Sequence, residues 1–229
     1  MNFTDVPRQY DLMQTLLELE PGAAVPSHRI NGRAIITVIS GEVTKVEEDG
    51  EAKVFRAGQT YPESSGDEFD ADVNKGSAPA RLLVTFLLAP GAEPLIFNPN
   101  AAPSTAPGPK FVAVARTTLG TVPAQFTLSH SMFEVHPGFA VVNHTHDGWN
   151  LLTHLTGSVT NIVNGVVQPG SFAHGPHDIH EARSAGSGVA TAMSATVNPT
   201  GAPPLRLVGS TTPAIRPPAT GDGGLAAAR

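Results

Sequence analysis

Short runs of alternating apolar and polar residues recur along the chain and predict β-strands. Leu16 to Glu20 alternates apolar and acidic residues, which is the period of a half-buried strand, and the proline and glycine that follow end it. Further strands are predicted at four places: Ala34 to Ile39, Lys53 to Arg56, the region around Tyr61, and Arg81 to Leu88. No stretch has convincing helical periodicity, so the pattern predicts an all-β protein.

The second half of the chain repeats the first. Leu17–Thr44 aligns without a gap on Phe133–Thr160 at a constant offset of 116, and 11 of the 28 pairs are identical. Chance would give about two identities, and the matches fall at turns, so a duplication explains them better. A second match between two Gly-Ser pairs aligns Asp70 with His180. We therefore predict two β-barrels or sandwiches of about a hundred residues each.

Composition divides the chain into four parts and supports many short strands. Glycine (23 residues) and proline (21 residues) are frequent, and 40% of the residues are hydrophobic, which suffices for a core. The predicted parts are a first barrel, a Pro/Ala-rich linker, a second barrel and a Pro/Gly/Ala-rich tail, at residues 1–90, 91–112, 113–200 and 201–229. The tail is expected to be mobile or to run along a barrel surface through its leucines.

Charge and targeting signals exclude several classes of function. The net charge is −6 and no basic cluster is present, so no nucleic-acid partner is expected. No run of eighteen apolar residues and no signal peptide is visible, which predicts a cytoplasmic protein without a membrane partner. Cysteine is absent, which removes disulfides, thiolate ligands and a cysteine nucleophile. Eight of the nine histidines lie in the second half, where chemistry near neutral pH is concentrated.

Three of these histidines form a candidate metal site. His144 and His146 are two residues apart, and on a strand both side chains point to the same face. One divalent ion could contact both imidazoles at roughly 2.0–2.1 Å, with His180 as a third ligand. The alternative is three separate histidines, two on an exposed strand and one in a turn.

The glycines around this pattern give it a family resemblance. The segment from Gly138 to Gly157 has the spacing Gly-x5-His-x-His-x3-Asn-x6-Gly, which resembles the first motif of the cupin superfamily, with Asn150 where glutamate is usual. The segment from Gly170 to Ser184 resembles the second motif, with one residue fewer before His180 and serine where asparagine is usual. The resemblance implies a bicupin, with two double-stranded β-helix (jelly-roll) barrels in tandem and the metal site in the second.

The first copy has lost most of the motif. His28 is kept, but Ile30, Ala34 and Asp70 stand where the second histidine, the acidic residue and the third histidine are expected. We therefore expect a degenerate, structural barrel that packs against the second one. Asp70 lies among other acidic residues, and this stretch is interpreted as a solvated turn.

Asn150 changes the expected chemistry of the second copy. With asparagine in place of glutamate, an ion held by three imidazoles keeps its full charge and open positions, which favours an anionic chelating substrate. His154 shares the parity of Asn150 and is a candidate fourth ligand or acid/base, and His174 is a second candidate acid/base. A packing or turn role is the alternative for all three residues.

The function that the resemblance implies is a metal-dependent enzyme acting on a small anionic or enolisable molecule. An oxygenase or dioxygenase using iron is the leading hypothesis, and Zn, Ni, Mn or Cu are alternative ions because the ligands alone do not select one. The competing hypotheses are a non-redox isomerase or cyclase with the metal as Lewis acid, and a non-catalytic cupin that binds a small molecule or a metal. A homodimer is the oligomer considered.

Overall fold

A computed structural model describes residues 2–3 and 9–209, with only the backbone given for the first two. Within these residues every regular element is a β-strand, and no helix long and apolar enough to cross a membrane is present. The all-β prediction is confirmed. The last twenty residues of the predicted tail lie outside the described residues.

Eleven strands belong to the first half of the chain, and the predicted strands all fall on members of this set. They are β1 (Asn2–Phe3), β2 (Asp11–Leu19), β3 (Ala24–Ile30), β4 (Gly32–Ser40), β5 (Glu42–Glu47), β6 (Ala52–Arg56), β7 (Thr60–Ser64), β8 (Asp70–Val73), β9 (Ala80–Leu88), β10 (Leu95–Phe97) and β11 (Lys110–Thr118). Alternation and turn residues predicted β2, β4, β6, β7 and β9, whereas β1, β3, β5, β8, β10 and β11 were not predicted.

Nine strands follow in the second half. They are β12 (Phe126–Val135), β13 (Ala140–Thr145), β14 (Trp149–Thr156), β15 (Val159–Val163), β16 (Val166–Gln168), β17 (Phe172–His174), β18 (His180–Ser184), β19 (Ala190–Pro199) and β20 (Arg206–Leu207). The two halves each form two five-stranded antiparallel sheets. The orders are β11-β2-β9-β4-β7 and β10-β3-β8-β5-β6 in the first half, and β1-β12-β19-β14-β17 and β16-β15-β18-β13-β20 in the second.

The internal repeat extends to the pairing register of the strands. The β3–β8 pair is irregular between Val25 and His28, and the β13–β18 pair is irregular between Val141 and His144. The β4–β9 and β14–β19 pairs share a second irregularity at the same offset of 116. Because a bulge changes which face a side chain occupies, matching bulges mean that equivalent residues of the two barrels point into equivalent interiors.

A shared apolar layer joins the two barrels. One cluster of buried residues combines Leu12 and Leu87 of the first half with Phe126, Leu151 and Val197 of the second. Burying a side chain of this size stabilises a fold by about 1.5–3 kcal/mol. The cluster therefore shows that the first barrel packs against the second, as expected from the sequence.

Polar contacts and exchanged strands add to this junction. The ring of His130 lies between the hydroxyls of Thr37 and Thr85, at 2.7 Å and 2.9 Å. β1 pairs with β12, so a strand from the amino-terminal end of the chain completes a sheet of the second barrel. β11 pairs with β2 of the first barrel. β10, inside the predicted linker, pairs with β3. The boundaries at residues 90 and 113 remain a prediction, and hydrogen bonding attaches β11 to the first barrel.

Candidate metal centre in the second barrel

Neighbouring strands of the second barrel bring four histidines into one buried cluster. His144 on β13 lies directly opposite His180 on β18, and His146 follows β13 immediately. His174 on β17 lies opposite Asn150 on β14. All four imidazoles are at most 6% exposed, so the strand pairing places them in the interior of the barrel.

The rings approach one another closely. The ring centroids of His144 and His180 are 3.7 Å apart, and those of His174 and His180 are 3.9 Å apart. The centroid of His146 lies 5.1 Å from that of His180. One ligand atom each of His144, His146 and His180 lies within 4.8 Å of the others, so this group could hold a metal ion. His174 stands beside the group without belonging to it.

Backbone carbonyls fix the tautomer of two of these rings. Nδ1 of His144 is 2.9 Å from the carbonyl oxygen of Val142, and Nδ1 of His146 is 2.5 Å from that of Pro204. A carbonyl oxygen only accepts hydrogen bonds, so Nδ1 carries the proton in both rings and Nε2 keeps its lone pair. This is how proteins orient histidine ligands of metals.

Burial keeps the cluster uncharged. Loss of hydration, with a smaller contribution from neighbouring histidines, lowers the pKa of His146 and His174 to about 4 and that of His180 to about 2. The pKa of His144 is also lowered by burial. Neutral imidazole is the form that binds metals. Both ring nitrogens of His174 and Nδ1 of His180 have no hydrogen-bond partner, which is unusual for buried polar atoms, so the donor set fits a transition-metal ion.

The other sequence candidates occupy different places. Asn150 is buried beside the cluster, and its amide nitrogen donates to Oγ of Ser194 at 2.7 Å. His154 is half-buried, and its Nε2 accepts from the amide nitrogen of Asn161 at 2.6 Å. No ring contact of the described residues joins His154 to the four histidines. Trp149 donates from Nε1 to the carbonyl oxygen of Thr121 and packs on the apolar layer between the barrels.

The chain after the second barrel returns to the site. β20 pairs with β13, so Leu207 lies opposite His144. Arg206 makes a forked contact with Asp147, with nitrogen–oxygen distances of 2.7 and 2.8 Å. Of the two expectations for the tail, a strap along the barrel holds as far as residue 209. Sequence reasoning missed Pro204 as a contact of His146, because a proline carbonyl carries no sequence signal for hydrogen bonding.

The equivalent positions of the first barrel are polar and buried. His28 lies opposite Asp70 as His144 lies opposite His180, and Glu63 lies on β7 where His174 lies on β17. The interpretation of Asp70 as part of a solvated turn is wrong, because it is only 3% exposed. Its position opposite His28 on a paired strand buries it, whereas Asp67, in the preceding turn, is exposed.

One lysine neutralises part of the acidic charge in this barrel. Nζ of Lys45 lies 3.1 Å from Oδ2 of Asp70 and 3.4 Å from Oε1 of Glu63. Asp72 accepts a hydrogen bond from the hydroxyl of Tyr61 at 3.1 Å. Burial and then the neighbouring carboxylates raise the pKa of Glu63 to about 9 and that of Asp70 to about 6, because three acids share one ammonium group.

Comparisons with known proteins agree with the fold. Residues 15–86 match the family model described as Cupin domain. That segment lies in the first barrel, where two of the motif histidines are replaced. A comparison with curated protein sequences finds no match.

Solved structures share the fold at low sequence identity. The vicilin of Solanum melongena is 12% identical, with a TM-score of 0.59 over 88% of this chain and 77% of that chain. YhaK of Escherichia coli is 12% identical, with a TM-score of 0.54 over 86% and 93% of the two chains. AerE of Microcystis aeruginosa is 15% identical, with a TM-score of 0.53 over 81% and 87%. These likenesses show a shared fold, and the matched model supports a cupin domain at residues 15–86.

Proposed function

We propose that the second barrel binds one divalent transition-metal ion through His144, His146 and His180, and that the protein is a metal-dependent bicupin enzyme. Its substrate is a small anionic or enolisable molecule. The observation that carries the proposal is the mutual distance of at most 4.8 Å among one ligand atom from each of the three buried histidines. The carbonyl contacts that leave Nε2 of His144 and His146 unprotonated support the same conclusion.

The charge of the site favours an anionic substrate. All of the proposed ligands are neutral, and Asn150 contributes no carboxylate, so a bound divalent ion would keep its full charge of +2. A carboxylate, an enolate or a catecholate-like pair of oxygens supplies the missing negative charge and enters the coordination positions that the protein leaves open.

His174 and Asn150 are the proposed contacts of the substrate. His174 lies beside the three ligands with both ring nitrogens unpartnered, so it is available to hydrogen-bond the substrate and to move a proton. The amide nitrogen of Asn150 is committed to Ser194, which leaves its carbonyl oxygen for a donor on the substrate. His154 is the weaker candidate, because its Nε2 is already used by Asn161.

An oxygenase is the reaction class we favour, with iron as the metal. When bound at such a site, iron supports the reaction of a chelated substrate with dioxygen, and three protein ligands leave room for both reactants. Burial of the four imidazoles keeps competing water away from the reacting groups. The protein's own residues therefore have the tasks of binding, orienting and proton transfer.

Metal analysis and oxygen consumption test this proposal together. Protein purified without a histidine tag is expected to carry close to one transition-metal ion per chain. The iron-loaded protein is expected to consume dioxygen when a panel of small enolisable acids and catechols is added. Bound metal that survives the joint replacement of His144, His146 and His180 by alanine would disprove the metal site. Metal binding without oxygen uptake would disprove the oxygenase.

The two free nitrogens of His174 also favour a second candidate, a non-redox isomerase or cyclase with the metal as Lewis acid. A buried imidazole without partners beside the ligands is suited to carry a proton from one substrate atom to another. In this case zinc-loaded protein would exchange substrate protons with solvent deuterium, and His174→Gln would slow that exchange while leaving bound zinc unchanged.

A further inference from the structure

The first barrel contains a second group of metal-ligating side chains, formed by His28, Glu63 and Asp70. One ligand atom of each lies within 4.8 Å of the others, and the three residues are between 2% and 5% exposed. They come from three different strands, β3, β7 and β8. The strand register makes them the equivalents of His144, His174 and His180, so the same interior positions carry donor groups in both barrels.

The orientation of His28 matches that of its equivalent. Nδ1 of His28 is 2.9 Å from the carbonyl oxygen of Pro26, two residues earlier, just as Nδ1 of His144 contacts Val142. Nδ1 therefore carries the proton, and Nε2 of His28 keeps its lone pair for a metal or a donor.

The buried carboxylates of Glu63 and Asp70 share a single ammonium group, which does not neutralise both of them. Lys45 is the cation that lies against them, and its ammonium group also lies 3.3 Å from Oε1 of Glu47. The other carboxylate oxygen of Asp70, Oδ1, has no hydrogen-bond partner, although Asp70 is only 3% exposed. Buried carboxylates are normally paired or bound to a metal, so Oδ1 of Asp70 is free to accept a further donor or to contact a metal ion.

A surface cleft lies beside this group and shares Lys45 with it. It has a volume of about 580 Å³, and its lining includes Lys45. Two lysines, Lys45 and Lys53, line the cleft together with five acidic residues, namely Glu47, Asp49, Glu51, Asp67 and Glu68. An acidic lining concentrates cations and repels anions, which is the reverse of what the second barrel requires of its substrate.

We propose that His28, Glu63 and Asp70 form a second cation site that takes a hard divalent ion, with Mn²⁺ as the best match. Two carboxylates and one imidazole suit Mn²⁺ and Mg²⁺, whereas a set of imidazoles suits iron, zinc or copper. Lys45 remains the partner of Oδ2 of Asp70 and orients that carboxylate. The two barrels of one chain would then bind two different metals, and the first site does not depend on the proposed function of the second.

The test measures Mn²⁺ uptake in a chain whose second barrel is silenced. His144, His146 and His180 are replaced by alanine, the full-length protein is stripped with chelator, and Mn²⁺ binding is followed by the loss of the electron paramagnetic resonance signal of free Mn²⁺. We expect one Mn²⁺ per chain. Asp70→Asn in this background is expected to weaken binding at least about 100-fold and Glu63→Gln about 10-fold or more. The matched control Glu93→Gln, which removes an exposed carboxylate elsewhere, leaves binding unchanged.

Two outcomes would overturn the proposal. One is no Mn²⁺ uptake by the silenced chain at millimolar concentration, and the other is uptake that Asp70→Asn and Glu63→Gln leave unchanged. Should the silenced chain fail to fold by circular dichroism, the same titration is run on the unsubstituted protein preloaded with one equivalent of Zn²⁺. His28→Asn is compared in that format, where it must lower Mn²⁺ uptake and leave the bound Zn²⁺ in place.

Discussion

The two barrels share one scaffold and carry opposite chemistry in the same interior positions. His144, His174 and His180 of the second barrel are uncharged near neutral pH because burial lowers their pKa values. Their equivalents in the first barrel include Glu63 and Asp70, whose pKa values burial raises. Burial acts in the same way in both barrels, by disfavouring the charged form. In our proposals, the residue types therefore decide whether the interior receives an anionic substrate or a cation.

Lys45 and Asn161 show how each barrel adjusts to its own charge. They occupy equivalent positions, since Lys45 lies opposite Asp72 and Asn161 lies opposite Ala182. The first barrel places an ammonium group among carboxylates, and the second places a neutral amide against His154. A duplicated scaffold can therefore diverge in charge while it keeps its strand register and its bulges.

The largest expected effect is the loss of metal from the second barrel. Replacing His180 by alanine removes the ligand opposite His144, and we expect metal affinity to fall by a factor of about 100 or more. The matched control is His136→Ala, which removes an exposed histidine outside the cluster. Chelator competition followed by elemental analysis measures both variants. Equal metal content in the two variants would contradict the assignment of His180 as a metal ligand.

The next effect separates the roles of the two interior polar residues. Lys45→Met leaves buried carboxylates without their cation, and we expect unfolding free energy to fall by about 3–5 kcal/mol. Asn161→Leu at the equivalent position breaks one hydrogen bond to His154 and should cost about 1–2 kcal/mol. Urea unfolding of metal-free protein gives both values. A smaller loss for Lys45→Met than for Asn161→Leu would contradict the charge assignment.

The pH dependence of stability should have opposite signs in the two barrels. Glu63 has a pKa of about 9 in the folded protein against an ordinary value of 4.5, so the folded state retains a proton that the unfolded chain has released. Stability from this group is therefore present below about pH 4.5 and is lost as the pH rises toward 9. Glu63→Gln should flatten this alkaline slope by about 1 kcal/mol per pH unit.

His174, at the equivalent position, should act at the acidic end. Its folded pKa is about 4 against an ordinary value of 6.5, so stability is complete above pH 6.5 and is lost as the pH falls toward 4. His174→Gln should flatten that acidic slope and leave the alkaline slope unchanged. Chelator-treated protein is used for both variants. If both variants changed the same part of the stability–pH curve, the two barrels would not differ in the sign of their pH dependence.

The smallest effect concerns the junction between the barrels. Thr85→Val keeps the shape of a fully buried side chain but removes the hydroxyl next to Nδ1 of His130. We expect a loss of about 1 kcal/mol in unfolding free energy. Thr60→Val, which removes an exposed hydroxyl on the other side of Thr37, should cost less than about 0.5 kcal/mol. An equal cost would mean that the His130 contact does not stabilise the junction.

The sequence contained most of the fold and the core of the site. The repeat of Leu17–Thr44 predicted two similar barrels, and the strand register bears this out down to the bulges. The proximity of His144 and His146 was expected from their spacing, because alternate residues of a strand share a face. His180 was assigned from the resemblance of its segment to the second cupin motif, and its ring lies with the other two. These features are periodic or repeated, and such patterns survive in a single sequence.

The contacts that the sequence did not reveal join residues far apart in the chain. Lys45 and Glu63 approach Asp70 from other strands of the first barrel. Without these contacts, an acidic stretch next to a turn is interpreted as exposed to solvent. The alignment of Asp70 with His180 was the available signal, since an equivalent of a buried residue is expected to be buried. The carbonyl of Pro204 at His146 belongs to the returning tail, and backbone acceptors leave no trace in residue types.

Anomalous X-ray diffraction from crystals of the tag-free protein tests the central claim most directly. Data collected on both sides of the iron, nickel, copper and zinc absorption edges are expected to show one strong peak between the imidazoles of His144, His146 and His180. The edge at which that peak appears names the element. A second barrel with no peak after metal loading, or with its peak away from these three rings, would contradict the account.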